Sequence, residues 1–359
     1  MATRNDLVPV SDGDQLNEGY FNGILTAVGE SLATQSEYYL YEASSIPSNL
    51  TRWTGDNFSD NSLIDTTNTT CLHNAKGLIV FCTVLDFTND SSVDSSIWST
   101  DGAGTASEDT ERIRLSSYAS NTTQSTTLIS DGASGLDMKG QDGEVVFSYD
   151  YSHVDADTGG GSSSSFGEFL IQISNGTTHV TIRTVRTTGT NINASGSKKD
   201  VRIVINNTAE TVDVWEEGVK VASAIDISSV TTNWYIRFVS NVDSASTADD
   251  ITAIFDLYGI GYVKDGDSNS IDFVSQAFTA PITVSGVATM QTSSGESSLT
   301  TTVSANNGSN YSTCTDRTIS IISNTGTQVK LKLSATVPSI TNTQTNCTKL
   351  IGYGIQVFE

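Results

Sequence analysis

Proline, basic residues and long apolar runs are all scarce in this sequence. Only 4 prolines occur among 359 residues, against 29 glycines, so we expect glycine to form most of the turns. No run reaches the roughly 20 apolar residues that a membrane-spanning helix needs, which predicts no membrane insertion. The N-terminus lacks a basic start followed by an apolar stretch, so no signal peptide is recognisable. We therefore expect a chain made in a cytoplasm and not exported by the ordinary secretory route.

The charge is strongly one-sided. The sequence has 18 Lys and Arg residues against 41 Asp and Glu residues, a formal net charge of −23. A chain this acidic is repelled by phosphate backbones and by anionic lipid, which argues against nucleic acid and membrane surfaces as partners. Two interpretations stay open, namely solubility in a salty or crowded setting, or binding of divalent cations by clustered aspartates.

What the sequence does contain is a series of short alternating runs. Residues 201–205, 211–215, 234–238 and 251–258 each alternate apolar and polar side chains, with turn residues between the runs. This pattern predicts half-buried strands at even spacing, which is typical of an antiparallel β-sandwich. Residues 78–87 are apolar on both faces and predict a central, doubly covered strand.

Glycine turns mark three predicted hairpins. Asn175–Gly176 and Glu217–Gly218 each join two alternating runs, and such pairs favour tight turns with positive φ. Asn324–Gly326 separates two further runs and predicts a hairpin with a three-residue loop. We therefore predict an all-β chain with a larger sandwich over 76–264 and a smaller β-domain over 265–359.

Residues 1–45 differ from the rest and predict an attachment segment with a short helix. Asp14 suits an N-cap and Gly29 a stop. The apolar residues between them follow helical spacing: Leu16, Tyr20, Phe21, Ile24, Leu25 and Val28. A helix this short needs a partner for its apolar face, and another copy, a larger assembly or the chain's own sandwich would each serve. The polar stretch 46–75 is interpreted as a linker with one short strand.

The four cysteines form no recognisable metal motif. None lies in a CxxC pair, and no histidine is close enough in sequence to suggest a zinc site. We favour the bridges Cys71–Cys82 and Cys314–Cys347, because each pair falls within one proposed unit. Four free, partly buried thiols remain the alternative.

The strands over 201–258 resemble the closing strands of concanavalin-like (laminin G-like) jelly rolls. The opening 8–24 looks like the start of tailed-virus fibre and virion structural proteins, and 323–331 is similar to their distal β-domains. This resemblance implies a homotrimer that is anchored to other virion proteins at its N-terminus. It also fits the lack of a recognisable signal peptide, because a virion protein assembles in the host cytoplasm yet works outside it.

Jelly rolls of this type include glycoside hydrolases, which place Glu-x-Asp-x-x-Glu on one strand. Here Glu210, Asp213 and Glu216 offer a similar series. A spacing of three puts Glu210 and Asp213 on opposite faces of a regular strand, so the motif is broken and we expect no catalysis. His73, His153 and His179 stand apart in the sequence and suggest no site.

Two weaker patterns predict binding residues. Trp98 lies in a polar stretch beside Asp101, and an exposed ring with a neighbouring carboxylate is typical of a sugar site. Asp265, Asp267 and Asn269 carry oxygen ligands at alternate positions, as calcium loops do, so Ca²⁺ is a candidate ligand there.

Together these observations predict a non-enzymatic virion surface protein, a tail fibre or spike that attaches to a host-surface glycan or protein. A capsid decoration or head-fibre protein and a glycan-degrading hydrolase on the same fold are the alternatives. The position on the particle and the receptor stay open.

Overall fold

The structure is a computed structural model that describes residues 53–56, 58, 62–73, 79–86, 92–109, 112–120, 122–155, 165–188, 193–244, 250–265, 270–294, 298–336 and 347–359. All the regular secondary structure in these ranges is β-strand, and the named strands pair antiparallel. The predicted all-β antiparallel fold is confirmed. The predicted helix in the 1–45 segment lies outside the described residues. The described ranges hold no helix that is long and apolar enough to cross a membrane.

The strands are numbered in chain order: β1 Trp53–Asp56, β2 Leu72–His73, β3 Ile79–Val80, β4 Thr83–Asp86, β5 Ser99–Gly102, β6 Thr105–Asp109, β7 Arg112–Ser120, β8 Thr123–Ile129, β9 Gly143–Asp155, β10 Phe166–Ser174, β11 His179–Thr188, β12 Asn193–Asn206, β13 Thr211–Glu216, β14 Val219–Asp226, β15 Tyr235–Asp243, β16 Asp250–Lys264, β17 Ser270–Val274, β18 Phe278–Ser294, β19 Leu299–Ser304, β20 Ser312–Cys314, β21 Ile319–Thr336 and β22 Lys349–Phe358.

Two of the sheets pack face to face and form what we call the central sandwich. One has five strands in the order β11-β10-β15-β8-β5, and the other has eight, in the order β14-β13-β12-β9-β16-β7-β6 with β4 beside β16. Rings from the two sheets meet between them. Phe169 stacks on Phe255 with centroids 3.6 Å apart, and Phe147 meets Phe238 edge-on at 5.2 Å. The alternation predicted from the sequence supplies this interior, because every second side chain of each strand points inward.

The third sheet, with nine strands, forms what we call the C-terminal unit. Its order is β2-β3-β22-β18-β21-β19-β20, with β1 beside β22 and β17 beside β21. Its core includes Phe58, Phe273 and Tyr353, whose ring centroids lie 5.3 to 5.9 Å apart. The C-terminal unit therefore takes strands from both ends of the described chain.

The stretch interpreted as a linker, 46–75, contributes to the C-terminal unit. Strand β1 pairs with β22, β2 pairs with β3, and Phe58 and Ile64 are buried in the core of the unit. Single apolar residues among many polar ones leave no periodicity to detect, and the partners of β1 lie about 300 residues away in the chain. Sequence patterning does not reveal pairing over that separation.

The predicted single strand over 78–87 is divided between two sheets. Strand β3 joins β22 of the C-terminal unit, whereas β4 joins β16 of the central sandwich. Residues 79–82 are all buried, which agrees with the predicted coverage on both faces. The chain changes sheets at Phe81 and Cys82, and Phe81 N donates to Thr348 O at 2.9 Å. The apolar run marks a crossing between two cores.

Two of the three predicted hairpins are present. Gly176 has φ +90° in the turn between β10 and β11, and Gly218 has φ +74° between β13 and β14. The hairpin predicted at Asn324–Gly326 is wrong, because β21 runs straight through these residues. A Cβ on Gly326 would lie 2.3 Å from Ala305 O, so this glycine permits a close approach of two backbones instead of a turn.

All four cysteines are free and buried in this structure. Neither of the favoured bridges, Cys71–Cys82 and Cys314–Cys347, is formed, and the alternative of four free thiols holds. Cys82 and Cys347 belong to one apolar cluster, whereas Cys71 and Cys314 belong to another. Burial raises the pKa of each thiol, which keeps it protonated.

Candidate functional site

The two residues predicted to bind sugar lie in different environments. Trp98 is only 2% exposed, and its ring lies 6.3 Å from that of Phe238 in the core of the central sandwich. The ring has no open face for a sugar, so its predicted stacking role does not fit. The reason is physical: a large ring at the start of a strand gains more from burial than from exposure. Asp101, by contrast, is exposed on β5.

Asp101 belongs to a polar surface on the outside of the five-stranded sheet. The inward side chains of β10 and β15 include Phe169, Ile171 and Phe238, so the residues between them point outward. We call this surface the outer face and define it by eight side chains: Asp101, Thr127, Glu168, Gln172, Thr181, Arg186, Arg237 and Asn241. Strand register places them in three rows, and the middle row, which holds Asp101 and Thr127, also contains the apolar residues Leu170 and Val239.

Arg237 is the centre of the outer face. Its Nη1 donates to Gln172 Oε1, and its Nη2 donates to Thr127 Oγ1 at 3.1 Å. Gln172 Nε2 in turn donates to Thr181 Oγ1 at 2.9 Å. Burial lowers the pKa of Arg237, and the nearby charge of Asp101 opposes that shift. The guanidinium of Arg237 on β15 is therefore tied to β10 and β8, with the carboxylate of Asp101 nearby.

A third row lies four residues along the strands from Arg237 and Gln172, beyond the apolar residues Leu170 and Val239. Asn241 Nδ2 donates to Glu168 Oε1 at 3.4 Å, and Arg186 Nη1 lies 3.7 Å from Glu168 Oε2. The Arg186 guanidinium also lies 3.8 Å above the centre of the Phe166 ring. This contact orients a long side chain that is otherwise half exposed.

The outer face ends in a cluster of acceptors around Tyr235. Burial raises the pKa of Tyr235, and the charges of Asp137 and Asp131 add to that shift. Asp131 Oδ1 accepts a short hydrogen bond from Ser99 Oγ. Burial lowers the pKa of the neighbouring His179, and the charge of Arg237 adds to the effect. An aromatic ring and two hydrogen-bonded carboxylates thus border the rows of donors.

The outer face offers alternating donors and acceptors on a rigid sheet. Gln172 and Thr127 are buried and position Arg237, whereas the exposed side chains of Asp101, Thr181 and Arg186 can each bind a ligand hydroxyl at a spacing that the sheet fixes. The described residues contain no group of three His, Cys, Asp or Glu side chains able to hold a metal ion. The exposed donors and acceptors of the outer face match the hydroxyl groups of a polyhydroxylated molecule.

Sequence reasoning identified only Asp101 among the eight outer-face residues. The missed signal is that Glu168 and Gln172 on β10, like Arg237 and Asn241 on β15, occupy the outward positions of strands. Long polar side chains four residues apart on both of two paired strands would indicate a built polar surface. The pairing of β10 with β15 is needed to see it, and the sequence does not supply that pairing.

The predicted calcium residues are only partly described. Asp265 follows β16, and its backbone N donates to Asp142 O at 2.9 Å. Asp267 and Asn269 lie outside the described residues, so the Ca²⁺ site stays a prediction.

The three carboxylates of the hydrolase-like series point in different directions. Glu210 lies in a turn, where its Oε1 is 3.2 Å from Lys139 Nζ. Asp213 faces outward beside Lys220 at 2.7 Å. Glu216 faces inward, accepts from Tyr149 OH and pairs with Arg183 at 2.8 Å. The series does not form a carboxylate pair.

A different carboxylate pair lies on the outer surface of the eight-stranded sheet. Asp150 and Asp256 are register partners on β9 and β16. Asp256 accepts two hydrogen bonds from Arg114, at 2.6 and 2.7 Å, and one from Arg112 at 3.0 Å. Burial raises the pKa of Asp150, and the charge of Asp256 adds to that shift. Sequence reasoning missed this pair because its members are over 100 residues apart.

No protein-family model matches the sequence, and no curated protein matches it. Solved structures are similar to about half of the chain. Arcelin-5, a lectin-like defense protein from Phaseolus vulgaris, is 12% identical over 49% of this chain and 95% of its own, with a TM-score of 0.33. The carbohydrate recognition domain of Emp47p is 13% identical over 53% of this chain and 98% of its own, with a TM-score of 0.30. A Bacteroides ovatus mixed linkage glucan GH16 protein is 13% identical over 49% of this chain and 98% of its own, with a TM-score of 0.29. Likenesses at this level carry no conclusion about activity.

Proposed function

We propose that this chain is a non-enzymatic structural protein that binds a glycan through the outer face of its five-stranded sheet. The observation that carries the proposal is the row of Arg237 and Gln172, in which Arg237 also reaches Thr127 in the next row, beside Asp101. Such a row presents fixed donors and acceptors without a paired nucleophile and base, which suits binding more than chemistry.

A glycan array probed with the full chain, followed by calorimetry on the best ligand, tests this proposal. Asp101→Asn and Arg186→Ala change groups that are exposed or nearly half exposed, so the fold should survive. Each variant is expected to weaken binding about tenfold, which corresponds to about 1.4 kcal/mol. Asp226→Asn, an exposed aspartate on β14 of the other sheet, is the matched control and should bind as the unaltered chain does. Equal affinity in all three variants would exclude the outer face.

We further propose that the protein works on the surface of a virion, as a homotrimeric tail fibre or spike attached to other virion proteins through residues 1–45. The Ser- and Thr-rich strands and the acidic composition support this setting, as does the resemblance to tailed-virus fibres. Light scattering during size-exclusion chromatography should give three times the chain mass, and a stable monomer would contradict the trimer. Imaging of intact particles separates a tail position from a capsid decoration.

The pair Asp150–Asp256 favours a second candidate function, hydrolysis of a glycan. Two opposed carboxylates with unequal surroundings are the arrangement that glycoside hydrolysis uses, one protonated and one ionised. Under this alternative, incubation with host-surface polysaccharide releases reducing ends, and Asp150→Asn abolishes the release while Asp213→Asn does not. The attachment role predicts no release from any of the three proteins.

A further inference from the structure

The most exposed large apolar side chains of the C-terminal unit lie together on one surface. Ile321 is 88% exposed and Ile319 is 64% exposed, both on the same face of β21. Ala288 on β18 lies opposite Ile319, and Phe358 on β22 lies across Gly286 from Ile321. We call these four residues, Ile319, Ile321, Ala288 and Phe358, the apolar strip.

Gly286 makes the apolar strip continuous. It stands between Ile321 and Phe358 in the register, and a Cβ built on it would lie 3.6 Å from the Phe358 Cβ. The side chains on either side are therefore separated only by backbone. Full burial of an exposed isoleucine contributes up to about 1.5 to 3 kcal/mol, so an occupant that covers these two largely exposed side chains would stabilise the molecule.

The described chain begins beside the apolar strip. Trp53 on β1 pairs with Gln356 on β22, Gln356 pairs with Ala288 on β18, and Ala288 pairs with Ile319 on β21. The start of β1 is thus three strand spacings, or about 14 Å, from Ile319. Because β1 pairs antiparallel with β22, the chain entering β1 comes from the end at which Phe358 and Ile321 lie.

The residues that precede β1 contain a segment with matching chemistry. Leu16, Phe21, Ile24 and Val28 are among the apolar residues that share helical spacing in 14–28. The 24 residues 29–52 between this segment and β1 span up to about 80 Å, so reach sets no limit. A tether of this kind gives an effective concentration of about millimolar, which favours the chain's own segment over a second copy in dilute solution.

We propose that residues 14–28 dock their apolar side chains on the apolar strip of the same chain. The occupant is part of this protein, so the surface is covered before any partner is met. Residues 1–13 and the aromatic cluster at 38–41 would remain available to an assembly. The inference stands without the proposed glycan function.

Photo-cross-linking in the full chain tests the docking. The photoreactive residue p-benzoylphenylalanine replaces Ile321 in a mixture of isotopically light and heavy chains, and mass spectrometry locates the links. We expect links from position 321 to residues 14–28 in which both linked peptides carry the same isotope. The same label in place of Val219, which is 64% exposed on β14 of the central sandwich, is the matched control and should give no such link. Links between light and heavy chains, or no link to 14–28, would overturn the proposal.

Amide hydrogen exchange gives a second, independent readout. Ile321→Asp changes an exposed side chain and should leave the fold intact, yet it places a charge where the apolar segment docks. Exchange across residues 14–28 is expected to accelerate at least tenfold in this variant. Val219→Asp should leave it unchanged. Equal exchange in both variants would show that the apolar strip does not hold the segment.

Discussion

His153 on β9 is a buried histidine whose surroundings favour the neutral ring. It is 1% exposed, and its Nδ1 lies 3.1 Å from Thr187 Oγ1. Gly167 on the opposite sheet leaves room for the imidazole, because a Cβ there would lie 2.7 Å from the ring Cγ. Burial lowers the pKa of His153 from 6.5 to about 4. Three residues thus create a group that resists protonation in the folded state.

This shift predicts a loss of stability in mild acid. Between about pH 6.5 and pH 4 the unfolded chain binds a proton that folded His153 does not, so the free energy of unfolding falls as the pH falls. The difference between the two pKa values corresponds to about 2 to 3 kcal/mol of unfolding free energy. The His153→Gln variant lacks this contribution to stability. Urea unfolding should therefore show that the difference in unfolding free energy between the unaltered protein and His153→Gln is smaller at pH 4 than at pH 7.5 by that amount.

His179→Gln is the control for this prediction, because His179 is exposed on β11 of the same sandwich. Burial and the charge of Arg237 also lower the pKa of His179, but less than burial lowers that of His153, so His179→Gln should lose a smaller part of the pH dependence than His153→Gln does. Parallel curves for the unaltered protein and His153→Gln would show that the buried ring is protonated without cost.

At the scale of a single strand, β21 shows how a glycine can be mistaken for a turn. The strand runs unbroken for 18 residues, and Asn324 and Gly326 hold it against a neighbouring segment. Asn324 Oδ1 accepts from Ala305 N at 2.6 Å, and Gly326 lets the Ala305 carbonyl approach. An Asn-Thr-Gly triplet suits a hairpin loop equally well, so local sequence does not distinguish the two arrangements.

We expect Gly326→Ala to destabilise the C-terminal unit. The added methyl group would lie 2.3 Å from a backbone oxygen, which cannot move without disturbing its strand. Overpacking of this kind costs about 1 to 3 kcal/mol. Gly286→Ala on the paired strand β18 is the matched control, because its new Cβ meets only ordinary contacts at 3.6 Å. Chemical denaturation of both variants measures the difference, and an equal effect would refute the steric explanation.

Strands and hairpins could be predicted from the sequence where strand pairing is local. The hairpins at Asn175–Gly176 and Glu217–Gly218 and the alternating strands around them depend on neighbouring residues, and the structure contains them. The split of 78–87 between two sheets and the use of 53–73 in the C-terminal unit depend on β22, which lies nearly 300 residues later. The outer face could not be predicted for the same reason, since its rows exist only once β10 lies beside β15.

At the scale of the whole molecule, the central sandwich and the C-terminal unit share a buried contact, which we call the seam. It is an apolar cluster drawn from both units: Leu72, Val80, Cys82, Val146, Val263 and Cys347. A polar pair lies beside it, because Glu144 Oε1 is 2.9 Å from Arg202 Nε and accepts from Cys347 N at 3.4 Å. Lys349 Nζ also lies 3.8 Å from Asp200 Oδ2. The seam joins the two cores through both apolar and charged groups.

Because the seam is buried, we expect the two units to unfold together in a single calorimetric transition. Val146 on β9 is 6% exposed within the seam, and Val146→Asp would bury an unpaired charge there, beside Glu144. The apolar contact between the units would be lost while each retains its own core, so the transition should separate into two. Val154→Asp is the matched control, since Val154 lies on the same face of β9 but is 38% exposed. That variant should keep one transition near the original temperature. Two transitions in the unaltered chain, or one in Val146→Asp, would mean that the seam does not couple the units.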